Sequence, residues 1–194
     1  MNKVYLLVIC LLLAPFTGCL DEFTDEEITS ESVEDETDRE CLVPYGKCYG
    51  VDFSDHDLSG MNLTGIRFSH TRIPGENGAA DEWIQPNLSG ADLSDTDLND
   101  AEFYGIKLSG AVLTGANLHL ATLINVDFRC ANLTGANLTG ANLTNAYFST
   151  HSCDADLSYT DFTDAIVTNA DFGSTYWYQT IWTDGVAYDG NQAD

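Results

Sequence analysis

The chain has 194 residues, room for one domain and a tail, and it carries 31 acidic and 7 basic side chains for a formal charge of −24. That balance excludes a nucleic-acid binder, which displaces counterions with clustered Lys and Arg. It also excludes docking on anionic lipid through a basic patch. Six Cys in a chain this long are too few for a disulfide-dense mini-scaffold.

Lys3 is followed by eleven nearly uninterrupted apolar residues, Val4 to Ala14. Crossing a hydrocarbon core takes about 20, so the basic start and short apolar run predict a secretory signal over 1–18. The run closes on Ala14-Pro15-Phe16-Thr17-Gly18-Cys19, which resembles the lipobox of prokaryotic lipoproteins. Gly18 supplies the small residue before the cysteine, and Phe16 stands where that pattern usually has Leu. The resemblance implies lipid attachment at Cys19 and an exported, membrane-anchored protein held extracytoplasmically. Two acyl chains make such an attachment stable, since each buried CH₂ contributes about 0.8 kcal/mol.

From Asp21 to Glu40 the composition changes abruptly: 11 of 20 residues are Asp or Glu. Such a run buries too little apolar surface to offset its ordering entropy. Self-repulsion extends it, so residues 19–40 are predicted to be the lipid-bearing Cys and an acidic spacer.

An internal period of five begins beyond residue 50. Stepping by five from Phe53 to Phe148 meets a large apolar residue at nineteen of twenty positions, Gly78 being the exception. A second run, one residue out of phase, continues at Leu157, Phe162, Val167, Phe172, Trp177 and Trp182. Small residues such as Ala111, Ala116 and Ala136 precede each centre by two, and turn formers such as Gly110 and Gly115 follow it by two. A helix would spiral these Leu around its surface. A straight strand would send alternate ones to opposite faces. A chain that turns a corner every five residues resolves both conflicts, with Leu or Phe and the small residue inside and Gly, Asn or Asp at the corners.

The tandem Ala-Asn-Leu-Thr-Gly units at 131–135 and 136–140 resemble the pentapeptide-repeat family. The resemblance covers 51–184 and implies an all-β fold, a right-handed quadrilateral β-helix with four pentapeptides per coil. Twenty-six units then make six to seven coils, and a spacing of about 4.8 Å gives a rod roughly 30 Å long. Residues 41–50 are expected to form an N-terminal cap loop and 185–194 a polar C-terminal tail. The aromatic run Tyr176, Trp177, Tyr178, Trp182 and Tyr188 reads as the lid over the last coil.

Three breaks in the repeat are candidate functional positions, since loops on a rigid scaffold often carry function. Residues 74–86 keep the five-residue phase, which favours a degenerate stretch of coil with a bulge and Trp83 facing in. The alternative is an excursion presenting Asp81, Glu82, Trp83 and Ile84 to a partner. At 149–154 the register slips by one, around His151 and Cys153. No oxyanion hole or orienting carboxylate accompanies that pair, so no catalytic residue is assigned and no enzyme is expected. At the near end a Cys41–Cys48 disulfide would staple the first coil. With Cys130 and Cys153 as well, the four mature cysteines allow three connectivities.

No cofactor or metal is expected. The four His are dispersed, and neither zinc spacing nor a calcium-loop motif occurs. Outward Asp57 and Asp97 are expected two coils apart. Asn62, Asn132, Asn137 and Asn142 match the glycosylation sequon, although the repeat itself spells that tripeptide. The expected function is a non-enzymatic scaffold, tethered to a membrane by its lipid, that binds a protein or envelope component and no nucleic acid. The alternative comes from the resemblance, because some pentapeptide-repeat proteins mimic DNA and inhibit DNA gyrase.

Overall fold

The computed structural model describes residues 41–73, 82–149 and 153–190. The expectations for 1–18 and 19–40, Cys19 included, lie outside the described residues, as do Asp81 and His151. In the remainder the chain winds through four faces per turn. On the third face the rungs run Asp57, Asp92, Val112, Asn132, Asp156 and Tyr176, every neighbouring pair bridged in parallel. Those rungs count six coils. On the first face the rungs lengthen into a four-stranded parallel sheet of β1 (Lys47–Tyr49), β2 (Arg67–Ser69), β5 (Glu102–Tyr104) and β6 (Thr122–Ile124).

The corners explain the period. In most units the amide three residues past the central Leu or Phe donates to that residue's carbonyl, as Ala91 does to Leu88 at 3.1 Å. The residue two past the centre then takes positive φ, as at Gly110 (71°), Asp95 (55°) and Asn125 (56°). Such turns favour Gly, Asn and Asp, the residues that dominate those positions. Gly65 is doubly constrained, because its φ is 63° and a Cβ there would sit 2.4 Å from the Tyr45 ring. The Asp or Asn before each centre holds the same turn from outside. The Asn137 carboxamide oxygen accepts from the Thr139 amide at 3.0 Å and the Thr139 hydroxyl at 2.5 Å.

Inside, the small residue and the central residue of each unit form the core. Ala111, Leu113, Ala116, Leu118, Ala121 and Leu123 are wholly inaccessible to solvent. On the second face Phe128, Phe148 and Phe172 stack in three successive coils, with ring centroids 5.0 and 4.6 Å apart. Where Thr replaces the small residue, its hydroxyl finds a carbonyl of the coil below: Thr96 donates to Leu58 at 3.1 Å and Thr160 to Leu133 at 2.7 Å. Buried hydroxyls need such partners, and among the described residues no buried side-chain polar atom lacks one.

Of 74–86 only 82–86 are described, and the strands on either side of 74–81 are not paired as degenerate coil would be. Strand β3 (Thr71–Ile73) pairs antiparallel with β4 (Glu82–Ile84), so the chain leaves the coil here as a hairpin. Asp52 pairs with Asn87, 35 residues on, whereas Asn87 pairs with Lys107, 20 on. The 15 extra residues are three repeat lengths, which preserves the phase. The same insertion sets Asp57 beside Asp92 in adjacent coils, with Asp97 on the next face. The expectation that Asp57 and Asp97 lie two coils apart is therefore wrong.

The slip at 149–154 has a related cause. Asn132 pairs with Asp156, 24 residues on, and four extra residues displace the phase by one. They leave at a corner closed by an antiparallel bridge between Ser149 and Asp154 and by a Cys130–Cys153 disulfide.

The ends differ from the expected boundaries too. Residues 46–50 are already coil. β1 sits in the first-face sheet in register with β2, and the Gly46 amide closes a corner on the Val43 carbonyl at 2.9 Å. At the far end β7 (Thr180–Ile181) pairs antiparallel with β8 (Ala187–Tyr188), so 185–190 fold back rather than trail as a tail. Trp177 and Trp182 pack against Phe172 beneath this hairpin, while Tyr176 and Tyr178 face solvent.

Candidate functional site

Two features break the regular coil surface, and they adjoin. The first is the hairpin. Its base is fixed by Thr71 and Ile84, both packed so closely over Gly50 that a Cβ there would meet Thr71 Cγ2 at 2.4 Å. From this base Trp83 stands 65% exposed. Of the interaction-loop residues expected from sequence, Glu82, Trp83 and Ile84 lie in β4.

The second feature is a groove of about 380 Å³ at the corner of the first and second faces, lined by Gln85, Lys107, Asn125, Asp127, Arg129 and Tyr147. Lys107, Asp127 and Tyr147 are successive rungs of the second face, and Asn125 occupies the corner beside them. Gln85 is carried in by the strand that closes the hairpin. A Cβ on Gly105 would lie 3.2 Å from His70 Cε1 and 3.5 Å from Gln85 Nε2, so both side chains rest against that glycine. Sequence reasoning missed this groove because its residues come from five separate units. No local signal marks it, since its two bases, Lys107 and Arg129, stand 22 positions apart.

Among the described residues the bases segregate. Lys47 and Arg67 are on the first face, Lys107 and Arg129 on the second, and Arg72 is in the hairpin strand. The third and fourth faces and their corners hold Asp57, Asp92, Asp95, Asp97, Asp100, Asp156, Asp161 and Asp164 with no base among them. Two ion pairs form among the described residues, Arg67–Glu102 at 2.5 Å and Arg129–Asp127 at 2.6 Å. Each raises the pKa of its guanidinium, first through the hydrogen bond to the carboxylate and then through its charge. Lys107 belongs to neither pair.

The other sequence candidates fall as follows. Cys41 and Cys48 are joined by a disulfide with Cα atoms 5.3 Å apart. Cys153 is bonded to Cys130, which removes the thiolate that a Cys–His nucleophile would need. No group of three or more metal-capable side chains occurs among the described residues. The sequon residues Asn62, Asn132, Asn137 and Asn142 each accept an amide from the residue two further on. Asn137 also donates to Asn117 in the coil below at 3.1 Å.

The family model for pentapeptide repeats, 8 copies, matches residues 84–115 and 116–150. Residues 84–150 of the chain are pentapeptide repeats. The coil is a right-handed quadrilateral β-helix, as in pentapeptide-repeat structures. It is similar to HetL, a pentapeptide repeat protein involved in heterocyst differentiation regulation from the cyanobacterium Nostoc sp. strain PCC 7120. Identity is 26% over 73% of this chain, with a TM-score of 0.54. The chain spans 55% of the length of HetL. Rfr23 from the cyanobacterium Cyanothece 51142 matches at 26% identity over 70% of this chain and 90% of its own, with a TM-score of 0.48. Trypsin-treated QnrB1, a plasmid-mediated fluoroquinolone resistance protein, matches at 22% identity over 70% of this chain and 62% of its own, with a TM-score of 0.31. No curated protein matches the sequence.

Proposed function

We propose that this pentapeptide-repeat protein is a non-enzymatic scaffold, exported and anchored by lipid at Cys19, that presents the hairpin of β3 and β4 to a protein or envelope partner. The observation that carries this reading is Trp83, 65% exposed on a hairpin that the coil does not need. Exposed aromatic anchors on a rigid support are what interfaces use, and a solenoid of stacked coils is such a support. The basic start, apolar run and Gly18-Cys19 ending support the anchor, with the acidic stretch 21–40 as spacer.

Two measurements test it. Protein from its native host is partitioned into detergent, and its intact mass is recorded. A chain starting at Cys19 plus lipid in the detergent phase is expected; an unmodified full-length chain in the aqueous fraction refutes the anchor. Native-host cross-linking through a photoreactive group at position 83 is expected to capture a partner that a group at Asn117 does not.

A second reading is favoured by one observation, the eight Asp on the third and fourth faces and their corners without a base. It makes the rod an anionic surface that imitates DNA and acts on a topoisomerase such as gyrase. Inhibition of gyrase supercoiling at low micromolar protein is the outcome that supports it.

A further inference from the structure

We propose that the groove between Gln85 and Tyr147 binds a monoanionic, hydroxyl-rich ligand, the carboxylate-bearing sugar of an acidic polysaccharide. Its volume of about 380 Å³ falls in the small-ligand range of about 300–1,000 Å³. The charge inside it selects the ligand. Arg129 is committed to Asp127 through Nε at 2.7 Å and Nη2 at 2.6 Å, so these two cancel. Lys107 is in no ion pair and is left with a free positive charge, on a chain whose total is −24.

The groove therefore offers one net positive charge beside a carboxylate. A dense dianion such as phosphate meets only one unneutralised cation, on a chain whose total is −24. A sugar acid places its single carboxylate on Lys107 and lets its hydroxyls donate to Asp127. The carboxamides of Gln85 and Asn125 supply both donors and acceptors for further hydroxyls. The oxygen of Asn125 already accepts from Asn145 at 3.1 Å, which orients its amide. Tyr147, 49% exposed, borders the groove with a flat apolar ring for the face of a sugar and a polar tip for its edge.

The site is also built. Lys107, Asp127 and Tyr147 sit on consecutive rungs, spaced at about 4.8 Å by the ladder. Gln85 is held against Gly105 beside His70. The hairpin insertion thus gains a second role as one wall of the groove. This inference stands apart from the lipid anchor and from the Trp83 partner, and neither failing would touch it.

The test is calorimetric titration of the full chain, in detergent micelles, with the methyl glycoside of galacturonic acid, which carries one carboxylate. The neutral methyl galactoside and inorganic phosphate serve as competitors. Saturable binding is expected for the acid, weakened about tenfold or more by Lys107→Gln and by Tyr147→Ala. Arg67→Gln, on the first face outside the groove, leaves the affinity unchanged. Melting curves of the variants matching wild type show that the coil is intact. The proposal is overturned by no binding of the acid, by phosphate or the neutral sugar binding as tightly, or by a Lys107→Gln variant that binds like wild type.

Discussion

Phe148→Ala interrogates the principle that builds this coil. Phe148 is fully buried, with parallel rings 5.0 Å away in Phe128 and 4.6 Å away in Phe172, and Phe162 edge-on at 6.4 Å. Truncating a buried Phe to Ala costs about 3–5 kcal/mol through lost transfer energy and cavity. Here relaxation cannot close the void cheaply, because hydrogen-bonded ladders hold successive coils about 4.8 Å apart. Three aromatic contacts disappear as well, each contributing about 0.5–1.5 kcal/mol beyond area. The upper part of the range follows, about 4–5 kcal/mol. At about 2–4 °C per kcal/mol for a domain of this size, the melting temperature falls by about 8–20 °C. Thermal melts followed by circular dichroism read it directly, with urea unfolding as a second measure. Phe148→Leu keeps most of the volume but loses the same ring contacts, and is expected to cost about 1.5–3 kcal/mol, short of the Ala variant. A Phe148→Ala protein melting within about 2 °C of wild type would refute the inward stacked column, as would equal losses for Ala and Leu.

Three further outcomes follow from particular contacts. Gly65→Ala adds a Cβ at φ 63° against Tyr45; the left-handed backbone alone costs about 1–2 kcal/mol, and Tyr45→Ala in the same chain restores only the steric part of the loss by chemical denaturation. Disulfides of sequence separation 7 and 23 stabilise by about 2.5 and 3.5 kcal/mol on the loop-entropy estimate. Reduction should then lower the melting temperature of wild type more than that of Cys130→Ser/Cys153→Ser, and equal shifts would count against the second bridge. The Asp52 carboxyl is held below its ordinary pKa, chiefly by the Ser54 hydroxyl at 2.7 Å and further by the Ser54 amide and Asn87. A depressed folded pKa stabilises above the unfolded value of about 3.9, and the gain is lost as pH falls through the folded value. Asp52→Asn should therefore flatten the acid limb of melting temperature against pH below about pH 4, and an unchanged slope would contradict this.

The period of five was enough to infer the coil, because packing inside a four-cornered turn admits one residue pattern. Leu113 and Ala116 must point inward, Gly110 and Asn125 must turn the chain, and these demands are local, repeated and visible as spacing. The same logic misled at 74–86. An insertion of 15 residues leaves the phase intact, so periodicity alone cannot distinguish coil from hairpin when the inserted length is a multiple of five. At 149–154 a four-residue insertion shows as a slip, but its closure by Cys130 and Cys153 is a contact between coils and leaves no local trace. Cys48 also lies on the five-residue step, yet a lone Cys between Lys47 and Tyr49 does not look like a core residue until the rung above it is known.

The candidate groove was illegible for a stronger reason. Its side chains come from the hairpin base and from three coils, 62 positions apart between Gln85 and Tyr147, and parallel stacking brings them together. Sequence alone thus determined the inside of this protein, since every unit must satisfy the same burial condition. Folding decided the outside, where the rung-to-rung register, shifted by two insertions, selects which outward residues become neighbours. The free charge of Lys107 and the exposure of Trp83 belong to that register, because neither residue's environment exists until distant units stack.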